Sequence, residues 1–160
     1  MTPVRRATAR VVAVAPGDVV LLLRYLGRDG NGYWITPGGG IRPEETTAQA
    51  AARELREETG LRVDPRDLGP VVATSSGQWS DGGTVYDAHD SFFFWRALHT
   101  EVDTAGQERL EHSLCTGWRW WEAPAMTAST EPILPDGLAD LVVRLLAGER
   151  LGVPVRLTWR

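Results

Sequence analysis

The chain has 160 residues with 17 basic and 21 acidic side chains, so its net charge of −4 predicts no general attraction to nucleic acids or to anionic membranes. Its 42% hydrophobic and 24% charged residues exclude a disordered or fibrous protein. The single cysteine, Cys115, cannot form an intramolecular disulfide, and no segment approaches the roughly 20 apolar residues that span a bilayer, so we expect one cytoplasmic domain over residues 1–160.

The N-terminal part of the chain predicts three strands. Two apolar runs rich in Val and Leu, residues 9–15 and 19–25, flank Pro16-Gly17-Asp18, which is typical of a strand, a turn and a second strand. A short third strand is expected at residues 33–36. Pro37 and the three glycines that follow it predict a loop after this strand.

Residues 46–59 predict a helix. Thr46 followed by Gln49 has the spacing of a capping box, and Gly60 is typical of a helix C-terminus. On an ideal helix, small and apolar residues share one side, which can pack on a sheet. The residues on this side are Ala48, Ala52, Leu55 and Thr59.

The remainder of the chain predicts three more strands and a second helix. Residues 71–79 and 85–98 are strand-like and are separated by a turn at 80–83, and the Trp-rich residues 117–122 predict another strand. An amphipathic helix that ends at Gly148 follows. Its apolar positions are Leu138, Leu141, Val142, Leu145 and Leu146. Strands and helices in this order predict an α/β fold, with a mixed sheet on which the helices pack.

The first predicted helix carries three carboxylates on a side about 140° from its apolar side. Glu54, Glu57 and Glu58 are neighbours there because they are three and four positions apart, and like charges at this spacing destabilise a helix by a few tenths of a kcal/mol per pair. One interpretation is a solvated acidic face. The other is a metal site, because a glycine loop that can approach a ligand directly precedes the helix, and because carboxylate oxygens suit Mg²⁺ or Mn²⁺.

The segment 39–61 resembles the Nudix box, and every position that the motif specifies is filled. The matching residues are Gly39, Glu45, Arg53, Glu54, Leu55, Glu57, Glu58, Gly60 and Leu61. The resemblance implies a Nudix-like α/β/α sandwich with a mixed sheet between helices. It also implies hydrolysis of a diphosphate linkage with Mg²⁺ or Mn²⁺ as cofactor, by attack of water at phosphorus, in a nucleotide sugar, a dinucleotide or a (d)NTP.

The resemblance also implies a role for several residues. Glu57 and Glu58 are expected to be the principal metal ligands, with Glu54 as a further ligand or as the base that orients water. The backbone carbonyl of Gly38 is expected to be another metal ligand. Arg53 is expected to orient the glutamates through charge-assisted hydrogen bonds, and Glu45 to approach the metal or to hold the preceding loop in place.

Further candidates for the site are less closely tied to the motif. Glu108 or Glu111 could supply one more carboxylate to the metal, or both could lie in a solvated loop. Gly39 and Gly40 are expected to approach the substrate with their backbone. Trp34 could stack on a base of the substrate, or it could pack in the core.

Two other functions are alternatives to hydrolysis. A nucleotide-binding or regulatory Nudix domain could have lost turnover, although all the motif glutamates are present. Isomerisation of an isoprenoid diphosphate would need a cysteine before the motif, whereas Cys115 lies after it. A small nucleotide is the expected partner, nucleic acids and membranes are not, and a homodimer is left open.

Overall fold

The computed structural model describes residues 2–107 and 114–159. Within them the chain forms eight strands, three α-helices and one 3-10 helix. In chain order these are β1 (Val4–Ala15), β2 (Val19–Leu26), β3 (Gly32–Ile35), β4 (Gly38–Gly40), α1 (Thr47–Thr59), the 3-10 helix (Pro65–Leu68), β5 (Val71–Asp81), β6 (Thr84–Arg96), β7 (Cys115–Glu122), α2 (Ala123–Thr127), α3 (Leu138–Leu146) and β8 (Val155–Thr158).

The strands form one mixed sheet, as predicted. The hydrogen-bonded order is β3-β2-β1-β6-β5-β8, with β4 paired to β1 and β7 paired to β2. β1 runs parallel to β6 and β5 runs parallel to β8, whereas the other pairs are antiparallel. β1 is therefore the centre of the sheet, and β4 brings the glycines of the motif against it.

Two hydrophobic cores lie on the two faces of this sheet. Val12 and Val14 of β1 belong to the core that contains α3, whereas Val11 and Ala13 belong to the core that contains α1. Alternate residues of a strand point to opposite faces, so α1 and α3 cover opposite sides. The expected α/β/α sandwich is thus confirmed.

Both ends of α1 also agree with the sequence. The side chain of Thr46 accepts a hydrogen bond from the backbone N–H of Gln49, and the Gln49 side chain accepts one from the backbone N–H of Thr46. Gly60 ends the helix in the left-handed conformation, with φ of 76°. Local sequence therefore determines where α1 begins and ends.

Several elements differ from the prediction because their partners are distant in sequence. β1 begins at Val4 rather than at residue 9, since its polar N-terminal half pairs with β6 from Val4–Tyr86 onwards. The expected glycine loop is strand β4, which pairs with Thr8–Arg10 despite the low strand propensity of glycine. β8, α2 and the 3-10 helix were not predicted.

The remaining boundaries differ by a few residues. β3 covers Gly32–Ile35, and β7 already begins at Cys115. β5 and β6 extend to Asp81 and Thr84, so the turn between them is only Gly82-Gly83, with φ of 54° and 81°. In the described part of the chain, no helix is long and apolar enough to cross a membrane.

Candidate active site

The acidic side of α1 is partly buried, which corrects the expectation that it lies away from the packed side. Glu54 is 7% exposed and Glu58 is 2% exposed, whereas the side chain of Glu57 is 23% exposed. The cause is β4, which packs closely against the helix. A Cβ atom on Gly39 would lie 2.6 Å from Oε1 of Glu54, so only glycine leaves room for this carboxylate.

Arg53 connects the glutamates of the motif. Its Nε and Nη2 atoms donate to the two oxygens of Glu45 at 2.6 and 2.8 Å, and Nη2 also donates to the Gly40 carbonyl at 2.9 Å. Its Nη1 donates to Glu54 at 2.8 Å and to Glu57 at 3.3 Å. These five contacts engage all five N–H donors of a guanidinium, so Arg53 ties β4 and the loop before α1 to the carboxylates.

The pKa values of the two main partners of Arg53, Glu45 and Glu54, are shifted in opposite directions. The hydrogen bonds from Arg53 lower the pKa of Glu45 to about 2. Burial raises the pKa of Glu54 above its ordinary value, although Arg53 opposes this increase. Glu45 is therefore an anchored carboxylate, and its second contact, from the Arg42 backbone N–H at 2.9 Å, holds the loop before α1. A further cation near Glu54 would therefore stabilise its charged form.

Glu58 is held from two strands. Its Oε1 accepts the backbone N–H of Gly38 at 2.8 Å, and its Oε2 accepts the hydroxyl of Tyr25 at 3.1 Å. The backbone of Gly38, which the resemblance implies as a metal ligand, thus lies beside Glu58. β2, β4 and α1 meet at this carboxylate.

The donor set fits a hard divalent cation. Oε2 of Glu54 is buried and has no hydrogen-bond partner, and the groups that the motif and its preceding residue provide, the glutamates and the Gly38 carbonyl, are all oxygen donors. Within residues 2–107 and 114–159, however, no three His, Cys, Asp or Glu side chains converge on one metal position. Oxygens of Glu54, Glu57 and Glu58 are instead engaged by Arg53, Gly38 and Tyr25, so a cation would replace some of these contacts.

Two candidate ligands, Glu108 and Glu111, lie outside the described residues. Trp34 lies away from the glutamates. Its indole N–H donates to Glu131 at 3.0 Å, and its ring meets Trp121 edge-on with centroids 5.0 Å apart. The ring packs against the core that contains α3, so its part in substrate binding stays a prediction.

The structure adds three residues that sequence reasoning missed. Tyr25 contacts Glu58, as described above. Gln107 is buried, and its Nε2 donates to the backbone carbonyl of Glu58 at 3.0 Å. Arg10 of β1 lies close enough to Glu54 for its charge to lower the pKa of that carboxyl. None of the three belongs to the motif, and their contacts span 33 to 49 residues of sequence, which local patterns do not reveal.

Comparisons with known proteins identify the family to which the chain belongs. The family profile described as NUDIX domain matches residues 4–140. The chain therefore belongs to the Nudix family. The fold resembles that of a MutT protein from Methanosarcina mazei Go1, with a TM-score of 0.66 and 17% identity over 92% of this chain and 97% of that one. A NUDIX hydrolase from Nitrosomonas europaea gives a TM-score of 0.60 and 21% identity over 93% and 92%.

Relatives at the sequence level carry several names. The 8-oxo-dGDP phosphatase NUDT18 of Homo sapiens is 39% identical over 57 residues, which cover 36% of this chain and 18% of that protein. An octanoyltransferase of Myxococcus xanthus is 46% identical over 146 residues, which cover 91% and 37%. An RNA pyrophosphohydrolase of Yersinia enterocolitica is 28% identical over 120 residues, which cover 69% and 65%. The chain thus spans only a minor part of the first two proteins.

Proposed function

We propose that this chain hydrolyses a diphosphate linkage in a nucleoside diphosphate derivative, by attack of water at phosphorus, with Mg²⁺ or Mn²⁺ bound at the glutamates of α1. The observation that carries the proposal is the buried Glu54, whose Oε2 has no hydrogen-bond partner. Family membership supports it. Two relatives named for nucleotide or RNA hydrolysis, the human 8-oxo-dGDP phosphatase and the Yersinia RNA pyrophosphohydrolase, support it as well.

In this proposal several residues bind the cation, and one of them also acts on the attacking water. Glu57, Glu58, Glu54 and the carbonyl of Gly38 would hold the cation. When bound, the cation lowers the pKa of water and neutralises negative charge that develops on the diphosphate. Glu54 is also suited to orient and deprotonate the attacking water, because its burial raises the pKa of the carboxyl and makes the carboxylate a better base.

Arg53 and Gly39 act on the position of Glu54. Arg53 directs one oxygen of this carboxylate through the 2.8 Å hydrogen bond to Oε1. Gly39 provides the space in which the carboxylate lies against β4. The second oxygen, Oε2, is buried without a hydrogen-bond partner, so it is the oxygen that would serve the cation or the water.

The name octanoyltransferase does not support a second function. The aligned region covers 37% of that Myxococcus protein, so its name can refer to the other part of the chain. A non-catalytic nucleotide-binding domain remains the alternative, because Arg53 already engages two of the three glutamates. The experiment below separates these possibilities.

The test is a substrate panel of nucleotide sugars, dinucleotides, (d)NTPs and an RNA with a 5′-triphosphate, assayed with Mg²⁺ and then with Mn²⁺. We expect turnover that falls by several orders of magnitude in Glu57→Gln. Glu44→Gln is the matched control, because Glu44 is an exposed carboxylate in the loop before α1. Hydrolysis in ¹⁸O-labelled water should place the label on a phosphate product.

Two results would contradict the proposal. Turnover of no substrate with either cation would favour the non-catalytic domain. Label on a carbon-bound oxygen would indicate cleavage of a C–O bond and hence another class of enzyme. Turnover of RNA alone would instead correct the expectation that the substrate is a small nucleotide.

A further inference from the structure

Arg10 is a half-buried cation of β1 at the edge of the candidate site. Its Nη1 donates to the backbone carbonyl of Thr36 at 2.9 Å. Its Cα would lie 2.7 Å from a Cβ atom on Gly38, so the glycine of β4 packs directly on the base of this side chain. The arginine is therefore held by the backbone on both sides of Pro37, immediately before the motif.

The charge of Arg10 acts on two groups around the site. Burial raises the pKa of Glu54, and the positive charge of Arg10 opposes that increase. Burial also raises the pKa of Tyr33, and Arg10 again opposes it. The link to the glutamates is Gly38, which packs on Arg10 and whose N–H donates to Glu58 at 2.8 Å.

Arg10 differs from Arg53 in how many of its N–H donors are engaged by the protein. All five donors of Arg53 are engaged by protein oxygens. Arg10 makes one hydrogen bond to a described residue, which leaves four of its five N–H donors without an acceptor in residues 2–107 and 114–159. A half-buried guanidinium with open donors can accept an anion at little further cost in desolvation or side-chain order.

The proposed substrate needs such a cation. A diphosphate that approaches Glu54, Glu57 and Glu58 meets negative charge, and the chain as a whole carries −4. A bound cation would neutralise part of this charge, and Arg53 has no donor left for the substrate. Arg24 is likewise engaged, since Nε and Nη2 bind Glu131 at 3.0 and 2.6 Å and Nη1 binds Thr116 at 3.0 Å.

We propose that Arg10 binds a phosphate group of the substrate beside the glutamates of α1, through the N–H donors that it does not use for Thr36. This inference rests on the proposed function for the identity of the substrate. The planar guanidinium suits two parallel hydrogen bonds to phosphate oxygens. Arg10 is accordingly a substrate-binding residue that holds the diphosphate next to the water-activating carboxylate.

The test measures equilibrium binding of methylenediphosphonate, a diphosphate analogue that cannot be hydrolysed, by calorimetry in the presence of Mg²⁺. We expect Arg10→Gln to bind this probe about 10- to 100-fold more weakly, because charged hydrogen bonds to the anion are lost. Arg10→Lys should lie between Arg10→Gln and the parent, since it keeps the charge without the planar pair of donors. Arg5→Gln should bind within about twofold of the parent, as Arg5 is exposed and lies about 16 Å from Arg10 along the same strand.

Unchanged binding by Arg10→Gln would overturn the inference, as would a parent protein that fails to bind the probe at 10 mM. If Arg10→Gln does not fold, the comparison of Arg10→Lys with Arg5→Gln decides, and equal affinities would overturn the inference. Because the probe is never cleaved, the result is independent of the substrate panel. If the chain turns over no substrate but Arg10→Gln still loses affinity for the diphosphonate, the proposed function is wrong and the phosphate site is supported.

Discussion

The three glycines of β4 have different surroundings, and alanine substitution at each should have a different result. On Gly38 a Cβ atom would lie 2.5 Å from the Ala9 carbonyl oxygen and 2.7 Å from the Arg10 Cα. These are backbone atoms of β1, which cannot move without breaking the pairing of β4 with β1. Overpacking costs about 1–3 kcal/mol, so we expect Gly38→Ala to lose about 3 kcal/mol of unfolding free energy.

At Gly39 the added Cβ would meet the end of a side chain instead. It would lie 2.6 Å from Cδ and Oε1 of Glu54, and a carboxylate can move where backbone cannot. We therefore expect Gly39→Ala to lose only about 1 kcal/mol of stability, but to move Oε1 of Glu54 away from Arg53. The rate of hydrolysis should therefore fall strongly although the free energy of unfolding changes little.

Gly40 supplies the control for stability. No heavy atom lies within 4 Å of a Cβ placed there, so Gly40→Ala should stay within about 0.5 kcal/mol of the parent. The assay is thermal unfolding of the three variants, where 1 kcal/mol corresponds to about 2–4 °C in a domain of this size. Gly38→Ala should then melt about 6–12 °C below the parent.

Activity completes the comparison. Gly39→Ala is measured against the parent on whichever substrate the panel identifies, at a temperature where both are folded. A Gly38→Ala protein that melts within about 2 °C of the parent would refute the packing of β4 on β1. Turnover by Gly39→Ala within about twofold of the parent would refute the positioning of Glu54 by this glycine.

Four further predictions concern charge, packing and metal. In metal-free buffer, Glu45→Gln should be less stable than the parent at pH 7, and the difference should shrink as pH falls from 4.5 to about 2, because the ion pair lowers the pKa of Glu45 and its contribution is lost in that window. Glu54→Gln should gain stability relative to the parent as pH rises above 4.5, because burial raises the pKa of Glu54 and the parent must then bury a charge. Melting curves in which Glu45→Gln and Glu54→Gln show the same pH trend would contradict the opposite shifts of the two pKa values. Gln107→Ala should lose about 1–2 kcal/mol of unfolding free energy, since it removes the buried donor to the Glu58 carbonyl, and chemical denaturation with an unshifted midpoint would rule this out. For a Kd of ~1 mM, ~10 mM Mg²⁺ should stabilise the parent by ~1.4 kcal/mol, and an equal melting shift in a Glu57→Gln, Glu58→Gln double variant would place the cation elsewhere.

The sequence by itself determined the features that depend on neighbouring residues. Thr46, Gln49 and Gly60 set the ends of α1 because caps are local hydrogen bonds and local backbone conformations. Continuous apolar runs on either side of a turn predicted the inner strands, because a strand covered on both faces is apolar throughout. The spacing of apolar residues predicted α3, because it repeats with the period of a helix. The motif predicted the family, since its fixed positions all lie within one short segment.

Only the tertiary structure decided how the candidate site is assembled, because its contacts join residues that are far apart in sequence. β4 is a strand since β1 lies beside it, and its packing buries Glu54 on a side of α1 that the helical pattern alone marks as polar. Tyr25 and Gln107 reach Glu58 across 33 and 49 residues. Arg10 becomes a cation of the site because β1 carries it past Gly38, and no periodicity of the sequence distinguishes it from the exposed arginines of the same strand.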